Sequence, residues 1–599
     1  MSKANGTTRQ YATLIKVLDS LRDEAPVEDV IYHPPVSNND AMVQARSRAL
    51  LHLFLKARFG LTEFKDRIKY VTDGPNDGGI DAFYIDKANK RIYVLQSKFR
   101  ATAANFSSVN MSVNDLLKMD VKDILNGKTK DENGVPYNSQ IKQSLQRSIK
   151  QLPDVGSYET HVILLGNSKA FSAKDLQKLA SGYKVDQYHH ERIFKELLFP
   201  VIHGTYFTDP DLRIEISLAN TQRDSHLDYN VVSAKQKANI KLLFVPTIEI
   251  GRILHTYKNS ILQYNPRSFL DLDKNPVNQE IAASIENVTG NEFALYNNGI
   301  TIVSEGTQVS SDTAKLATAQ VVIRNPQLIN GGQTAYTLSR IYQKCITSGD
   351  FSVFKGKEVL LKVISFVGKP KPANLMDRLE LITSISKASN SQTKIEESDR
   401  RSNDPIQLEL QREFFESYGL FYERKRGEFS DGIHAKYINS GLIVNRENLV
   451  RVALASEYRV NEAKSSIQKV FGGDALTKTL IIQDVSKYAY GYEILRLIEE
   501  TLKTGKKGQG DRYNTAAFGQ ALRYGQFAVI AVCINRGMNS KKSEREVLNS
   551  ILSQWKNFEA SVMAKPSNIA YASSGSFSFV NYYKGATVNS DLKTYAFKA

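Results

Sequence analysis

Cysteine is nearly absent: the 599 residues hold two, Cys345 and Cys533, and neither sits in a CxxC pair. This excludes a disulfide framework and a four-cysteine zinc site, and leaves both thiols as expected reduced core residues. Long apolar runs are missing as well. The longest, Phe527 to Ile534, has eight residues, against the roughly 20 that a bilayer span requires, so no membrane partner is expected. The opening stretch MSKANGTTRQYATLIKVLDS has neither a continuous apolar segment nor a small-residue cleavage site. It argues against a secretory signal and for a cytoplasmic protein. HExxH is absent, and His189 and His190 lack a ligand partner four residues on. The GKT at Gly127–Thr129 has Lys122 where a phosphate-binding loop needs its first glycine. Zinc hydrolase and P-loop ATPase chemistry are therefore set aside.

What is present is positive charge: 79 Lys+Arg against 63 Asp+Glu, a net +16. The isoelectric point is about 9.3. That balance suits a chain that meets a polyanion, and makes nucleic acid the leading partner. With 41% hydrophobic and 24% charged residues, the chain reads as globular rather than disordered or coiled-coil. At about 150 residues per domain, its length suggests roughly three to four domains.

Residues 41–60, AMVQARSRALLHLFLKARFG, have helical spacing and a glycine stop. Ile80–Ile85 and Arg91–Phe99 are β-prone runs joined by the polar residues 87–90, a hairpin. A helix near 140–151, a strand at Thr160–Asn167 and a helix ending near Phe199 complete one α/β unit. The polar run ANTQRDSHLDYN, 219–230, marks a boundary. Beyond it, Thr318–Arg324 reads as a strand, Gly331 and Gly332 as a turn, and QTAYTLSRIYQKC as a helix. Helical patterns dominate after about residue 440, with a basic Gly-rich loop at 504–511.

The hairpin carries the chemistry. If Asp86 pairs with Arg91, antiparallel partners sum to 177, and Asp81 faces Gln96. Alternation then puts Asp81, Gln96 and Lys98 on one face. Asp77 precedes in DGGID, where two glycines permit a sharp entry. Hard oxygen ligands for Mg²⁺ beside a cation are what phosphodiester hydrolysis needs. A solvated charged edge with chance register is the alternative. The hairpin resembles the D-x(n)-[DEQ]-x-K signature of the PD-(D/E)XK nuclease superfamily in its Q-x-K form. The resemblance implies Asp81 as metal-binding acid, Gln96 at the second-acid position and Lys98 as catalytic lysine. A neutral amide there favours one metal ion over two. Such nucleases usually add an acid from the preceding helix; here that helix offers Asp40 at its edge, which equally suits an N-cap.

Further on stand YNPRSFLDLDKNPVNQEI (264–281), FALYNNGITIVSE (293–305), NPQLINGGQTAYTL (325–338), SNSQTKIEESD (389–399) and FYERKRGEF (421–429). These five ordered motifs span about 165 residues and closely resemble the AIPR (abortive infection phage resistance) family, which often carries a PD-(D/E)XK domain ahead of this module. NGGQT, between a strand and a helix, is open to two readings: backbone N–H groups that receive a phosphate, or a Gly-Gly turn with Gln333 or Thr334 capping the helix. YNNG reads equally as a type I′ hairpin turn. Arg267, Asn298, Asn330, Gln333, Thr334, Arg424 and Arg426 are second-site candidates, with the Arg424–Arg426 run also readable as a solvated face.

The expected architecture is thus multidomain α/β: a restriction endonuclease-like mixed sheet flanked by helices over 1–220, an α+β AIPR module over 231–440, and a mostly helical part over 441–599. The expected function is Mg²⁺- or Mn²⁺-dependent hydrolysis of nucleic acid, DNA before RNA, in phage defence. A catalytically degenerate nucleic-acid-binding or ligand-sensing regulator is the alternative. A second copy of the chain and a phage-derived trigger stay open as partners.

Overall fold

The computed structural model describes residues 3–112, 119–217, 226–232, 236–265, 276–287, 290–310, 318–366, 375–389, 397–465, 467–505, 511–573 and 577–599. These form two compact units. The larger comprises Thr8–Asn390 with Gly427–Ser440; the smaller comprises Met1–Thr7, Ser391–Arg426 and Gly441–Ala599. Of the boundary expected at 219–230, residues up to 225 lie outside the described residues, and Leu227–Val232 is a strand.

The larger unit begins within the helix Lys3–Arg22 and continues into the expected helix, Asn39–Phe59. Asn38 caps the latter by accepting the Ala41 N–H at 3.1 Å, and Gly60 ends it in the left-handed conformation at φ 67°. A β-carbon at Gly60 would lie 2.9 Å from the Phe207 ring, so this turn needs glycine for space as well as for φ. The helix is followed by a four-stranded sheet of β1 (Ala82–Asp86), β2 (Arg91–Ser97), β3 (Glu159–Leu165) and β4 (Lys184–Tyr188), in that spatial order. β1 and β2 are antiparallel; β2, β3 and β4 run parallel. Phe83, Ile92 and Val94 bury one face against Ile124, Ile141 and Leu145. The other face meets the Asn39–Phe59 helix, where Ser47 Oγ donates to the Ser97 carbonyl at 3.0 Å and Ser97 Oγ returns a bond to the Ser47 carbonyl at 2.9 Å.

A second core lies in the same unit. β5 (Asp211–Ser217) alternates buried Leu212, Ile214 and Ile216 with exposed Arg213 and Glu215, the period of a one-sided strand. β6 (Leu227–Val232), β7 (Lys237–Pro246), β8 (Ile300–Ser304), β9 (Gly306–Ser310), β10 (Thr318–Arg324), β11 (Gln327–Asn330) and β12 (Glu358–Phe366) follow. They form a three-stranded sheet, β5-β10-β9, and a five-stranded one, β11-β8-β12-β7-β6. Their inner faces share one core with the helices Thr247–Tyr257 and Gly332–Ser348.

The smaller unit is mostly helical. It contains a two-stranded parallel ladder, β13 (Phe421–Glu423) with β14 (Ile443–Asn445), and helices such as Pro405–Tyr418, Arg446–Ser456, Val485–Gly505 and Glu544–Ser553. The helical pattern after residue 440 is interrupted here: the helices Thr515–Phe518 and Gln526–Val532 flank Gly519 at φ 56° and Gly525. Cys345 and Cys533 are free and buried. Among the described residues no helix is long and apolar enough to cross a membrane. The chain is mixed α/β with several small sheets and a helical C-terminal region.

Candidate active site

The hairpin has the expected register: Ala82 opposes Leu95, and Asp86 opposes Arg91. One residue beyond the paired strand, the Asp81 N–H donates to the Leu95 carbonyl at 2.8 Å, while its Oδ2 accepts the Ser97 N–H at 2.6 Å. Asp81 is thus tied to both ends of the β2 segment that carries Gln96. Gln96 is 4% exposed and Lys98 is half-buried. Side-chain alternation turns both toward the face that Asp81 occupies.

Two further carboxylates meet Asp81. The chain before β1 doubles back through DGPNDGG, so that the N–H groups of Thr72 and Asp73 both donate to the Asp81 carbonyl at 2.9 Å. Gly78 and Gly79 turn at φ 64° and 71°. At Gly78 a β-carbon would stand 2.5 Å from Ile124 Cδ1 and 3.0 Å from Tyr137 Cε1, so a side chain there would have to displace them as well as adopt a positive φ. Within this turn Asp77 accepts N–H bonds from Gly79 at 2.8 Å and Gly74 at 3.1 Å. Asp73, Asp77 and Asp81 each offer a carboxylate oxygen within 4.8 Å of the others. Burial above all, then the Asp73 charge, pushes the Asp81 carboxyl well above the usual range, against the opposing pull of the Ser97 N–H and Lys98. Asp77 is also raised by burial, with the Gly74 and Gly79 N–H groups opposing. Three crowded, desolvated carboxylates of this kind gain most from a hard divalent cation, which offsets their repulsion and replaces lost water.

Asp40 is not part of this cluster. It is exposed in the first helical turn, and the N-cap is Asn38, so neither expectation for Asp40 holds. The helix instead contributes a cation: Arg48 forms an ion pair with Asp73. Asp73 and Arg48 were not among the expected site residues. Their signal was nonetheless present, because two turn-forming pairs between Val71 and Ile80 make the chain return on itself and bring Asp73 beside Asp81.

The second-site candidates separate. Arg267 lies outside the described residues. Asn298 is exposed in the loop before β8, while Asn330 ends β11 and Gln333 and Thr334 lie in the first turn of the Gly332–Ser348 helix; the two segments touch where Asn297 Nδ2 donates to Thr334 Oγ1 at 3.0 Å. YNNG is not a hairpin turn. It leads from the short Phe293–Tyr296 helix into β8, Asn297 has φ −95°, and Gly299 alone carries a positive φ. NGGQT ends β11 and starts the Gly332–Ser348 helix with Gly331 as a left-handed N-cap. No side chain caps that end, so neither Gln333 nor Thr334 has the capping role. The Gly331→Ala variant is expected to lose about 2–4 kcal/mol of stability. Its φ is 82°, and the new methyl would meet Ile300 Cγ1 at 2.9 Å and the Gly299 carbonyl at 3.0 Å. Gly332→Ala, at an ordinary helical φ, should cost far less; urea unfolding of the two variants checks the contrast.

Arg424 and Arg426 belong to the smaller unit. Arg424 is not a solvated phosphate contact: it is buried, donating through Nε to Gln411 Oε1 at 2.9 Å and through Nη1 to the Ser402 carbonyl at 3.1 Å. Lys425 is buried too, and Arg426 is exposed.

The carboxylate cluster at the mouth of a mixed-sheet hairpin and the touching YNNG and NGGQT segments define an α/β protein with a candidate cation site in its N-terminal sheet and a motif-rich region beyond it. Residues 262–566, just over half of the chain, match the family model of the AIPR protein. The chain belongs to the AIPR family. No curated protein and no solved structure matches it.

Proposed function

We propose that this protein is a divalent-metal-dependent nuclease of anti-phage defence that hydrolyses DNA, with the AIPR region as its recognition or control part. The observation that carries the reading is the convergence of Asp73 and Asp77, from the turn before β1, with Asp81 and Lys98 of the hairpin. The Q-x-K resemblance and the net charge of +16 support it, and the family match supports the defence role. Asp73, Asp77 and Asp81 would hold Mg²⁺ or Mn²⁺, with the Gln96 carboxamide as a neutral fourth oxygen. When bound, the ion supplies Lewis acidity and a more acidic water. Lys98 presents its ammonium to the phosphate, orienting it and offsetting the charge that builds as the P–O bond breaks. Arg48 holds the Asp73 carboxylate toward the cluster.

A second reading, nucleic-acid binding without cleavage, is favoured by Gln96 at the second-acid position and by the Arg48 ion pair that occupies Asp73. Nicking of supercoiled plasmid with Mg²⁺ against EDTA separates the two. Salt-sensitive DNA binding with no nicking in Mg²⁺ or Mn²⁺ selects the second.

Stability against pH gives an independent check. Asp77 and Asp81 are raised above 3.8 in the folded protein. They bind more protons folded than unfolded, so their contribution is fully present below about 3.8 and is lost as pH rises through the folded values. In EDTA the melting temperature of Asp81→Asn should therefore exceed that of the wild type at pH 8, and the two should converge near pH 4. Mg²⁺ should raise only the wild type at pH 8.

A further inference from the structure

The larger unit contains a cavity of about 580 Å³ along the flank of the Gly332–Ser348 helix, bounded on its far side by Gln279 and Ala282 of the Pro276–Glu286 helix. Its charge is of one sign. Arg340, Lys344 and His434 line it, and no carboxylate does so among the described residues. Lys344 is partly neutralised by Glu286 at 3.3 Å. Arg340, by contrast, is half-buried with no ion pair or hydrogen bond among the described residues. A guanidinium so placed lacks part of its hydration and has no counter-ion, the condition an anionic ligand relieves.

The cavity floor supplies a second, independent observation. Thr337 is fully buried, and its Oγ1 has no hydrogen-bond partner. A helical threonine ordinarily returns its hydroxyl to the carbonyl one turn back, and buried polar groups seldom go unsatisfied. Thr337 stands in the helix interior, so recognition here would rest on side chains rather than on the free N–H groups of a helix end. Arg340 follows three residues later, which puts both groups on one helical face. Tyr336 and Ile341 add apolar surface beside them. A bare phosphate would leave most of 580 Å³ unfilled, whereas that volume lies within the 300–1,000 Å³ typical of small-molecule sites.

We propose that this cavity binds a nucleoside phosphate, with Arg340 paired to a phosphate and the Thr337 hydroxyl bonded to the same ligand. The proposal is independent of the nuclease reading, because none of its residues belongs to the hairpin. Isothermal titration calorimetry of the full chain carrying Asp81→Asn, in EDTA, with ATP, GTP, CTP and UTP tests it away from the candidate metal centre. Saturable binding of at least one nucleotide is expected, weakened tenfold or more by Arg340→Gln, weakened by Thr337→Val and retained by Arg340→Lys. Melting temperatures of the unliganded variants should match the parent for Arg340→Gln, whose side chain holds no structural bond. Absence of saturable heat with all four at millimolar concentration would overturn the proposal, as would an affinity indifferent to Arg340→Gln. Binding of a single-stranded oligonucleotide through Arg340 without nucleotide binding would overturn it in favour of a strand contact.

Discussion

Asp81→Asn is expected to lower Mg²⁺-dependent plasmid nicking by at least on the order of 10³-fold while leaving a folded protein. The asparagine keeps the size and the oxygen that accepts the Ser97 N–H. It removes only the charge that a metal ion needs and that burial and Asp73 already disfavour. Lys98→Ala should slow the same reaction by about 10²–10³-fold with DNA affinity nearly unchanged, since one phosphate contact among many is lost. The pair of variants matters more than either alone. A merely structural cluster would give two proteins altered in melting temperature and unchanged in cleavage. A nuclease gives two that bind DNA and fail to cut it. Normal nicking by Asp81→Asn would remove the hairpin from the catalytic assignment.

The hairpin was legible because its determinants are local. A polar four-residue loop and an Asp86–Arg91 pairing set the register, and period-two alternation did the rest. The third carboxylate was harder to read, since Asp73 reaches the cluster through a chain reversal in which both Thr72 and Asp73 bond the Asp81 carbonyl. Asp40 misled because an acid at a helix edge satisfies several roles at once, and the neighbouring Asn38 had already taken the cap. In the second region, motif order and spacing were legible while the state of each side chain was not. FYERKRGEF reads as a charge run, yet Arg424 and Lys425 are buried, and the buried Glu428 carboxylate accepts a bond from His203 Nε2 at 2.8 Å. Burial of charge depends on partners far along the chain, and no local pattern encodes those.

The buried charges of the smaller unit lead to the largest expected effect on stability. Arg446, at the start of its helix, pairs with Asp399 of the SNSQTKIEESD motif, with side chains 5% and 1% exposed. The same guanidinium donates to Ser398 Oγ at 3.0 Å and to the Arg424 carbonyl at 2.6 Å, joining two of the five motifs through one side chain. Taking two such charges out of water costs several kcal/mol per ion, which the pair recovers only while both members are present. Arg446→Met is therefore expected to cost about 3–5 kcal/mol, because it leaves the Asp399 carboxylate buried without the guanidinium that offsets its charge. Asp399→Leu alone should cost a similar amount for the opposite reason. The double variant, with no ion left to solvate, should lie well above the sum of the singles, short of full recovery because the Arg424 carbonyl and Ser398 lose the guanidinium as a donor. Urea unfolding of all four proteins in a double-mutant cycle reads the coupling directly. Additive losses would mean that the ion pair does not hold the two motifs together, whereas a coupling of about 2 kcal/mol or more would identify it as the link between them.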